Sequence, residues 1–231
     1  QSSGEISFEN PRYDIDINAV STLELLKWSL NNNIKKFVYT SSMNVYGLVK
    51  DELIDENQPI SPESFYAVGK IASENYIKIF SDLGLNATVL RLFNVYGPGQ
   101  NLDNLKQGML SIYIAYILKN KPVIVKGSLD RFRDFVFIDD VIKSIIKTIE
   151  YKKTYDLFNI CTGVKTTVEE VLNKIFKAFN VPNHQIIVEE GTPRDQFGIY
   201  GNANKAKELL RWEYKTDLKN ELISFNNGAH I

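Results

Sequence analysis

A tyrosine and a lysine four residues apart, Tyr66 and Lys70, form the first arrangement in the sequence that could move a proton. On a helix this spacing places both side chains on one face, one turn apart. An ammonium group beside a phenol favours the phenolate, so the spacing predicts that Lys70 lowers the pKa of Tyr66 from about 10 towards that of a general base. Tyrosine and lysine are also common on solvated helix surfaces, so the spacing alone leaves both interpretations open.

Two strand ends place further polar groups near this pair. Residues 36–40 read as a buried strand that runs into the hydroxyl-rich turn containing Ser42, and residues 88–93 as a second strand that ends before Asn94. Ligands of open α/β sheets bind at the carboxyl ends of the strands. Ser42 and Asn94 are therefore expected at one site, which favours the catalytic interpretation of Tyr66.

Helical and strand patterns alternate along the chain, which predicts βαβ units and an α/β fold with a parallel sheet. We predict helices over residues 11–31, 65–83, 107–119, 139–150 and 203–210, another helix after residue 167, and strands over 36–40, 88–93, 123–125, 135–138, 157–160 and 185–188.

Composition excludes several classes of protein. The 27 basic and 28 acidic residues give a net charge of −1, so no overall field recruits nucleic acid or an anionic membrane. The single Cys161 excludes an intramolecular disulfide framework and suits a reducing cytosol. Neither a signal peptide nor an apolar run of about 20 residues is present. We expect a cytoplasmic protein without a nucleic-acid partner, a membrane partner or a metal site.

Six short strings in this chain resemble the extended short-chain dehydrogenase/reductases, specifically the NAD-dependent nucleotide-sugar epimerases and dehydratases. The strings are Ser41-Ser42-x-x-Val45-Tyr46-Gly47, Tyr66-x-x-x-Lys70, Arg91-x-Phe93-Asn94-Val95-Tyr96-Gly97-Pro98, Arg133-Asp134-Phe135-x-x-x-Asp139-Asp140-Val141, Asn159-Ile160-x-x-Gly163 and Lys205-Ala206-x-x-Leu209-Leu210-x-Trp212. The resemblance implies a Rossmann-like doubly wound parallel sheet and a smaller C-terminal α/β substrate lobe. Residues 1–95 would be the C-terminal part of the NAD-binding domain. Residues 96–231 would be mainly the lobe, with about 132–162 returning to the sheet.

The resemblance also implies the roles of individual residues. Ser42 would be the catalytic hydroxyl, Tyr66 the catalytic base, and Lys70 the residue that binds the nicotinamide ribose and tunes the tyrosine. The fixed fork of an arginine suits a phosphate. The residues implied to contact NAD are Gln1, Asn18, Tyr66, Lys70 and Phe93, and those implied to hold the diphosphate of a nucleotide sugar are Asn94, Arg133 and Arg194.

A homodimer through the helices around Leu23 and Tyr76 is a further implication of the resemblance, with Ile77 and Phe80 expected to be exposed. Other residues receive structural interpretations. Asp130 and Arg131 read as a solvated loop pair, Asp139 as a helix cap, and the aromatic residues Tyr39, Tyr46 and Phe93 as core packing rather than a platform for substrate.

The chain departs from the family at two places. It contains no G-x-x-G-x-x-G fingerprint, which in the family places the pyrophosphate on a helix N-terminus. We therefore expect two or three strand–helix units of about 30 residues each to precede Gln1. The dehydratases carry an Asp-Glu pair after the catalytic hydroxyl, but here Met43 and Asn44 follow Ser42, and neither can transfer a proton.

By exclusion we predict an epimerase of the UDP-sugar 4-epimerase type. It would epimerise C4 of a nucleotide sugar through a transient 4-keto intermediate. A dehydratase or a reductase/dehydrogenase of the same family is the alternative within enzymes. The alternative from another class is a non-catalytic protein that binds NAD or a nucleotide sugar.

Overall fold

The computed structural model describes residues 2–106, 108–191, 196–218 and 221–222. Its α-helices are α1 Gly4–Glu9, α2 Pro11–Ile15, α3 Ser21–Asn31, α4 Phe65–Asp82, α5 Met109–Leu118, α6 Ile138–Glu150 and α7 Val168–Ala178. Its strands are β1 Phe37–Ser42, β2 Leu53–Ile54, β3 Ala87–Leu92, β4 Asn94–Tyr96, β5 Val123–Lys126, β6 Phe132–Arg133, β7 Phe135–Phe137, β8 Tyr155–Ile160, β9 Thr166–Thr167, β10 Ile186–Glu189 and β11 Gly198–Gly201. Two π-helical turns (Asp16–Val20 and Ala206–Leu210) and a 3-10 turn (Met43–Tyr46) complete the elements.

Three parallel strands in the order β1-β3-β8 form the sheet that positions the site. The register pairs Ser42 of β1 with Leu92 of β3, and Leu92 with Ile160 of β8, so all three strands reach their carboxyl ends together. The alternating pattern had predicted this parallel sheet, and the prediction is confirmed. Strand β8 belongs to the segment 132–162 that was expected to return to the sheet, whereas a domain boundary at residue 95 stays a prediction.

The shorter strands build a second layer of structure beyond the sheet. Strands β2, β11, β6 and β9 form one sheet, β4 pairs with β7, and β5 pairs with β10. Helices α5 and α7 pack against this part through an apolar cluster that includes Ile114, Val123 and Val171. A Cβ at Gly201 of β11 would lie 2.5 Å from the ring of Phe93 and 2.6 Å from Sγ of Cys161, so glycine lets β11 pack closely against the residues that follow β3 and β8.

Helix α4 carries the Tyr-Lys pair, and its ends follow from the sequence. The hydroxyl of Ser64 accepts a hydrogen bond from the amide of Ala67 and caps the helix. Gly84, with φ of 106°, follows the C-terminus in the left-handed region that glycine favours.

Ile77 of α4 was predicted to be exposed, but it is fully buried in an apolar cluster with Leu26 of α3. The helix thus turns a different face to the sheet than its sequence suggested.

The first thirty residues are more segmented than predicted. The opening residues read as a loop, but Ser3 caps the helix α1. The single helix predicted over residues 11–31 contains a π-helical turn over Asp16–Val20. Such turns widen a helix locally and release carbonyl groups for other partners. The predicted cap at Asp139 is also wrong, since Phe137 occupies the N-cap of α6 and Asp139 lies in its first turn.

None of the helices in the described ranges is both long enough and apolar enough to cross a membrane.

Candidate active site

The hydroxyl of Ser42 and the phenol of Tyr66 lie close together at the carboxyl end of β1, where the serine hydroxyl favours the ionised form of the phenol. Ser42 is the last residue of its strand, and its oxygen also accepts a hydrogen bond from the amide of Asn44 at 3.2 Å. Tyr66 is the second residue of α4 and is 6% exposed. The structure thus brings together the two oxygen atoms that a proton transfer with a sugar hydroxyl requires.

Lys70 lies one turn further along α4 and faces the same site. Its ammonium group donates a hydrogen bond to the carbonyl oxygen of Thr40 at 3.0 Å. The nitrogen lies 5.5 Å from the centroid of the Tyr66 ring and 4.8 Å from that of Tyr39. Tyr66 and Lys70 therefore lie side by side on α4, as their spacing predicted. The hydrogen bond to Thr40 joins Lys70 to β1, the strand that ends at Ser42.

Burial governs the protonation of both groups. It raises the pKa of Tyr66 above its ordinary value, against the hydrogen bond from Ser42, and the negative charge of Asp14 raises it further. The expectation that the chain lowers this pKa is therefore wrong, because the sequence does not reveal how deeply the phenol is buried. Burial also lowers the pKa of Lys70 to about 8, against the charges of Asp14 and Glu74.

This lowered pKa predicts a pH dependence of stability. The unfolded chain keeps the Lys70 proton up to about pH 10.5, and the folded chain releases it near pH 8. Between these values the unfolded state binds more protons, so this residue makes stability rise with pH. We expect the free energy of unfolding of the wild type to increase relative to that of Lys70→Met as the pH rises from about 8 to about 10.

Urea unfolding of both proteins across this range measures the effect. Lys78→Met removes an exposed lysine from the same helix and controls for the loss of one charge. Parallel curves for the wild type and Lys70→Met would contradict the prediction.

Asn94 connects the end of the main sheet to the second layer. Its side-chain nitrogen lies 3.4 Å from the sulfur of Met43 and 3.4 Å from the carbonyl oxygen of Asp134. Met43 directly follows Ser42, so a thioether and an amide line this side of the site. Asn44 is exposed. The position after Ser42 therefore carries no acid or base, as the sequence indicated.

Arg133 is buried and donates to three backbone carbonyl groups. Its two terminal nitrogens bond the oxygen atoms of Phe132 at 2.7 Å, Gln196 at 2.8 Å and Phe197 at 3.1 Å. The neighbouring Asp134 is fully buried and accepts hydrogen bonds from Thr162, Gly163 and Gly201. Arg133 is thus held in a fixed frame beside Asn94. Arg194 lies outside the described residues.

Arg131 is buried as well, which corrects its interpretation as half of a solvated pair. It is 7% exposed and donates to the carbonyl oxygen atoms of Lys126 at 2.7 Å and Gln196 at 3.3 Å. Arg131 and Arg133 thus both donate a hydrogen bond to the carbonyl oxygen of Gln196. The sequence pattern of charges around Phe132 indicates a loop, and only the pairing of β6 with β11 shows otherwise.

Two residues that the resemblance assigned to the cofactor are both buried. Asn18 lies within the π-helical turn and is 4% exposed. It packs against α4 at Gly69, where an added Cβ would lie 3.0 Å from the Cβ of Asn18. Phe93 is buried in an apolar cluster with Tyr46 and Cys161, which agrees with its core interpretation. Gln1 lies outside the described residues.

The sequence interpretation missed an ion pair beneath the site. Glu74 of α4 and Arg91 of β3 lie 2.7 Å apart, and both are almost fully buried. A glutamate one turn after Lys70 and an arginine inside an apolar strand are the two signals in the sequence that could have indicated it.

Comparison with known proteins identifies the family. Residues 1–161 match the NAD dependent epimerase/dehydratase family. The chain belongs to this family. A protein of Methanocaldococcus jannaschii, named provisionally as a UDP-glucose 4-epimerase, is 36% identical over 221 residues, which are 92% of this chain and 69% of that protein.

Two solved structures share the fold of this family member. The UDP-glucose 4-epimerase of Thermotoga maritima, solved with UDP-glucose, superposes with a TM-score of 0.94 at 29% identity and covers 100% of this chain and 74% of its own. MoeE5, solved with UDP-glucose and NAD, gives a TM-score of 0.89 at 25% identity and covers 100% of this chain and 77% of its own. The doubly wound Rossmann-like fold and the dependence on NAD follow from the family.

The donors in this site fit the nicotinamide end of NAD. An ammonium group, a phenol and a serine hydroxyl converge at the carboxyl end of parallel strands, where such a cofactor binds. Lys70 offers N–H donors to ribose hydroxyl groups, and Tyr66 and Ser42 lie beside it. Gly69 has no side chain, and this allows Asn18 to approach α4 closely. These residues would hold the nicotinamide riboside of a bound NAD.

Proposed function

We propose that this protein is an NAD-dependent epimerase that inverts C4 of a UDP-sugar through a transient 4-keto intermediate. The observation that carries the proposal is the convergence of Ser42 and Tyr66 beside Lys70 at the end of β1. The assignment to UDP-sugars is supported by the UDP-glucose 4-epimerase of Thermotoga maritima, to which the chain is similar over its whole length.

Each residue of this group has a role in the proposed reaction. Lys70, Tyr66 and Ser42 would lie beside the bound NAD, which would supply a reversible acceptor and donor of hydride for C4. Tyr66 as a phenolate accepts the proton of the C4 hydroxyl, and Ser42 shares a hydrogen bond with the same oxygen. Lys70 stabilises the phenolate and binds the ribose. Once the keto sugar has turned its opposite face to the site, Tyr66 returns the proton.

The diphosphate must be held while the sugar turns, and Asn94, Arg133 and Arg194 are the proposed contacts. The described residues support this in part, since Asn94 lies between Met43 and the segment of Arg133. Arginine suits this role because its planar fork matches two phosphate oxygen atoms at once.

The residues beside Ser42 argue against a dehydratase. Loss of water from C5 and C6 needs an acid and a base next to the hydroxyl, and Met43 and Asn44 can supply neither. A reductase or dehydrogenase with the same three residues is the closest alternative. A non-catalytic binding protein would not need a buried base paired with a lysine, so the intact group argues against that class too.

A homodimer through α3 and α4 remains part of the proposal. Several large apolar side chains are exposed here, among them Leu25 and Trp28 on α3, Ile79 on α4 and Leu83 at the C-cap of α4. Burial of such side chains between two copies would stabilise the association. The mass of the protein in solution, measured by sedimentation, decides the matter. A cytoplasmic location is likewise proposed.

Incubation of the full-length protein with a panel of UDP-, GDP-, CDP- and dTDP-sugars tests the function. We expect NMR to show that a UDP-sugar is converted into its C4 epimer, with no net change in NADH absorbance over turnover. Net formation or consumption of NADH would instead assign the protein as a dehydrogenase or reductase. A sugar product that has lost one molecule of water would assign the protein as a dehydratase.

A further inference from the structure

A row of buried polar side chains crosses the main sheet directly beneath the site. Ser41 on β1, Arg91 on β3 and Asn159 on β8 are partners in the strand register. None of the three is more than 3% exposed. Because β1 ends at the next residue, Ser42, this row lies one residue below the catalytic hydroxyl.

Glu74 joins this row to the helix that carries the base. Its Oε1 accepts a hydrogen bond from the hydroxyl of Ser41 at 2.5 Å and another from Nε of Arg91 at 3.0 Å. Its Oε2 accepts from Nη2 of Arg91 at 2.7 Å, so the arginine binds in a bidentate manner. Glu74 follows Lys70 by one turn of α4, and one carboxylate therefore ties both strands to the helix.

The far end of the row anchors the turn that follows Ser42. The guanidinium carbon of Arg91 lies 4.9 Å from the centroid of the Tyr46 ring. The hydroxyl of Tyr46 donates to Oδ1 of Asn159 at 2.6 Å, and Nδ2 of Asn159 donates to the carbonyl oxygen of Ile54 at 3.1 Å. The 3-10 turn is thus fixed at its start by β1 and at its end by Tyr46.

We propose that Glu74, with Ser41 and Arg91, is a positioning residue that holds Ser42 of β1 within hydrogen-bond reach of Tyr66 on α4. A buried ion pair is a poor means of stabilising a fold, because removing two charges from water costs about as much as their attraction returns. A bidentate pair, however, fixes distance and direction. The inference deepens the proposed function and rests on it for its kinetic test.

The hydroxyl of Ser41 gives the mildest test. Ser41→Ala removes one hydrogen bond of the row, and we expect kcat to fall roughly tenfold while KM stays the same. Ser41→Thr restores the hydroxyl in a residue that strands favour, and should recover most of the rate. Ser144→Ala removes an equally buried hydroxyl from α6 and should leave kcat unchanged.

A double variant separates positioning from stability. Glu74→Leu combined with Arg91→Met removes both charges, so that neither is left buried without a partner. We expect a melting temperature close to that of the wild type and a kcat lower by roughly a hundredfold. A double variant with wild-type stability and wild-type kcat would overturn the inference.

A titration of Tyr66 supplies a readout that needs no sugar. Ultraviolet difference spectra between each protein and its Tyr66→Phe counterpart report the ionisation of this phenol alone. The hydrogen bond from Ser42 lowers the pKa of Tyr66, while Asp14 on α2 and Lys70 on α4 are unchanged in the variants. We therefore expect the pKa of Tyr66 to rise in Ser41→Ala and in the double variant.

The two measurements fail independently. An unchanged Tyr66 pKa in both variants would refute the positioning role. A wild-type protein that converts none of the nucleotide sugars would refute the proposed function, and the titration would still decide whether the row positions Ser42.

Discussion

Replacing Tyr66 with phenylalanine should lower kcat by roughly 10²–10⁴ while leaving the fold intact. The substitution removes one oxygen atom from a side chain that is 6% exposed, and the ring continues to fill its place. Ser42 loses one partner but still accepts the amide hydrogen of Asn44. The loss is therefore confined to proton transfer at the sugar hydroxyl.

Steady-state assays with the epimerised nucleotide sugar measure this effect, and circular dichroism checks the fold. Tyr76→Phe makes the same change two to three turns further along α4, at a partly buried tyrosine that packs in the apolar cluster. This control should keep its full rate. A near-normal kcat for Tyr66→Phe would exclude Tyr66 as the base.

Replacing Asp134 with alanine should produce the largest loss of stability. Its two carboxylate oxygens accept hydrogen bonds from the amides of Thr162, Gly163 and Gly201, and from the hydroxyl of Thr162, at 2.6–3.1 Å. Asp134 is fully buried, and Gly201 is buried as well, so the amide of Gly201 would be left without this partner away from water. We expect the free energy of unfolding to fall by about 3 kcal/mol or more.

Urea unfolding followed by tryptophan fluorescence measures this loss in the full-length protein. Asp139→Ala is the matched control, because Asp139 is an exposed acidic residue in the first turn of α6. Its removal should cost below about 1 kcal/mol. A loss as small as this for Asp134→Ala would show that the segment around Gly201 is held by other contacts.

The grouping of Ser42, Tyr66 and Lys70 could be predicted from the sequence because its parts are local. Tyr66 and Lys70 share one turn of a helix, and Ser42 ends a strand whose apolar pattern is clear. Such features depend on periodicity and spacing within a single element. The parallel sheet could be predicted for the same reason, since it follows from the order of strands and helices.

The network beneath the site could not be predicted, because it depends on relations between elements. Ser41 meets Arg91 only in one register of β1 against β3, and Glu74 reaches both only in one rotation of α4. The same rotation buries Ile77, which the sequence suggested was exposed. Rotation and register are set by side-chain packing between elements, and a single sequence does not report that packing.

Charge misled the interpretation where the chain is buried. Arg131 reads as half of a solvated loop pair and Arg133 as a diphosphate contact, yet both donate hydrogen bonds to the backbone of residues 196–197. The pKa of Tyr66 was misjudged for a related reason, because desolvation of the phenol outweighs the hydrogen bond that favours its ionisation.

The π-helical turn at Asp16–Val20 has a mechanical consequence for the enzyme. The carbonyl oxygen of Asn18 accepts hydrogen bonds from Thr22 on α3 at 3.1 Å and from Ser73 on α4. With Gly69 pressed against Asn18, these contacts lock the base-bearing helix to its neighbours. This half of the site is therefore preorganised, and Tyr66 and Lys70 hold their positions relative to the end of β1 before any ligand binds.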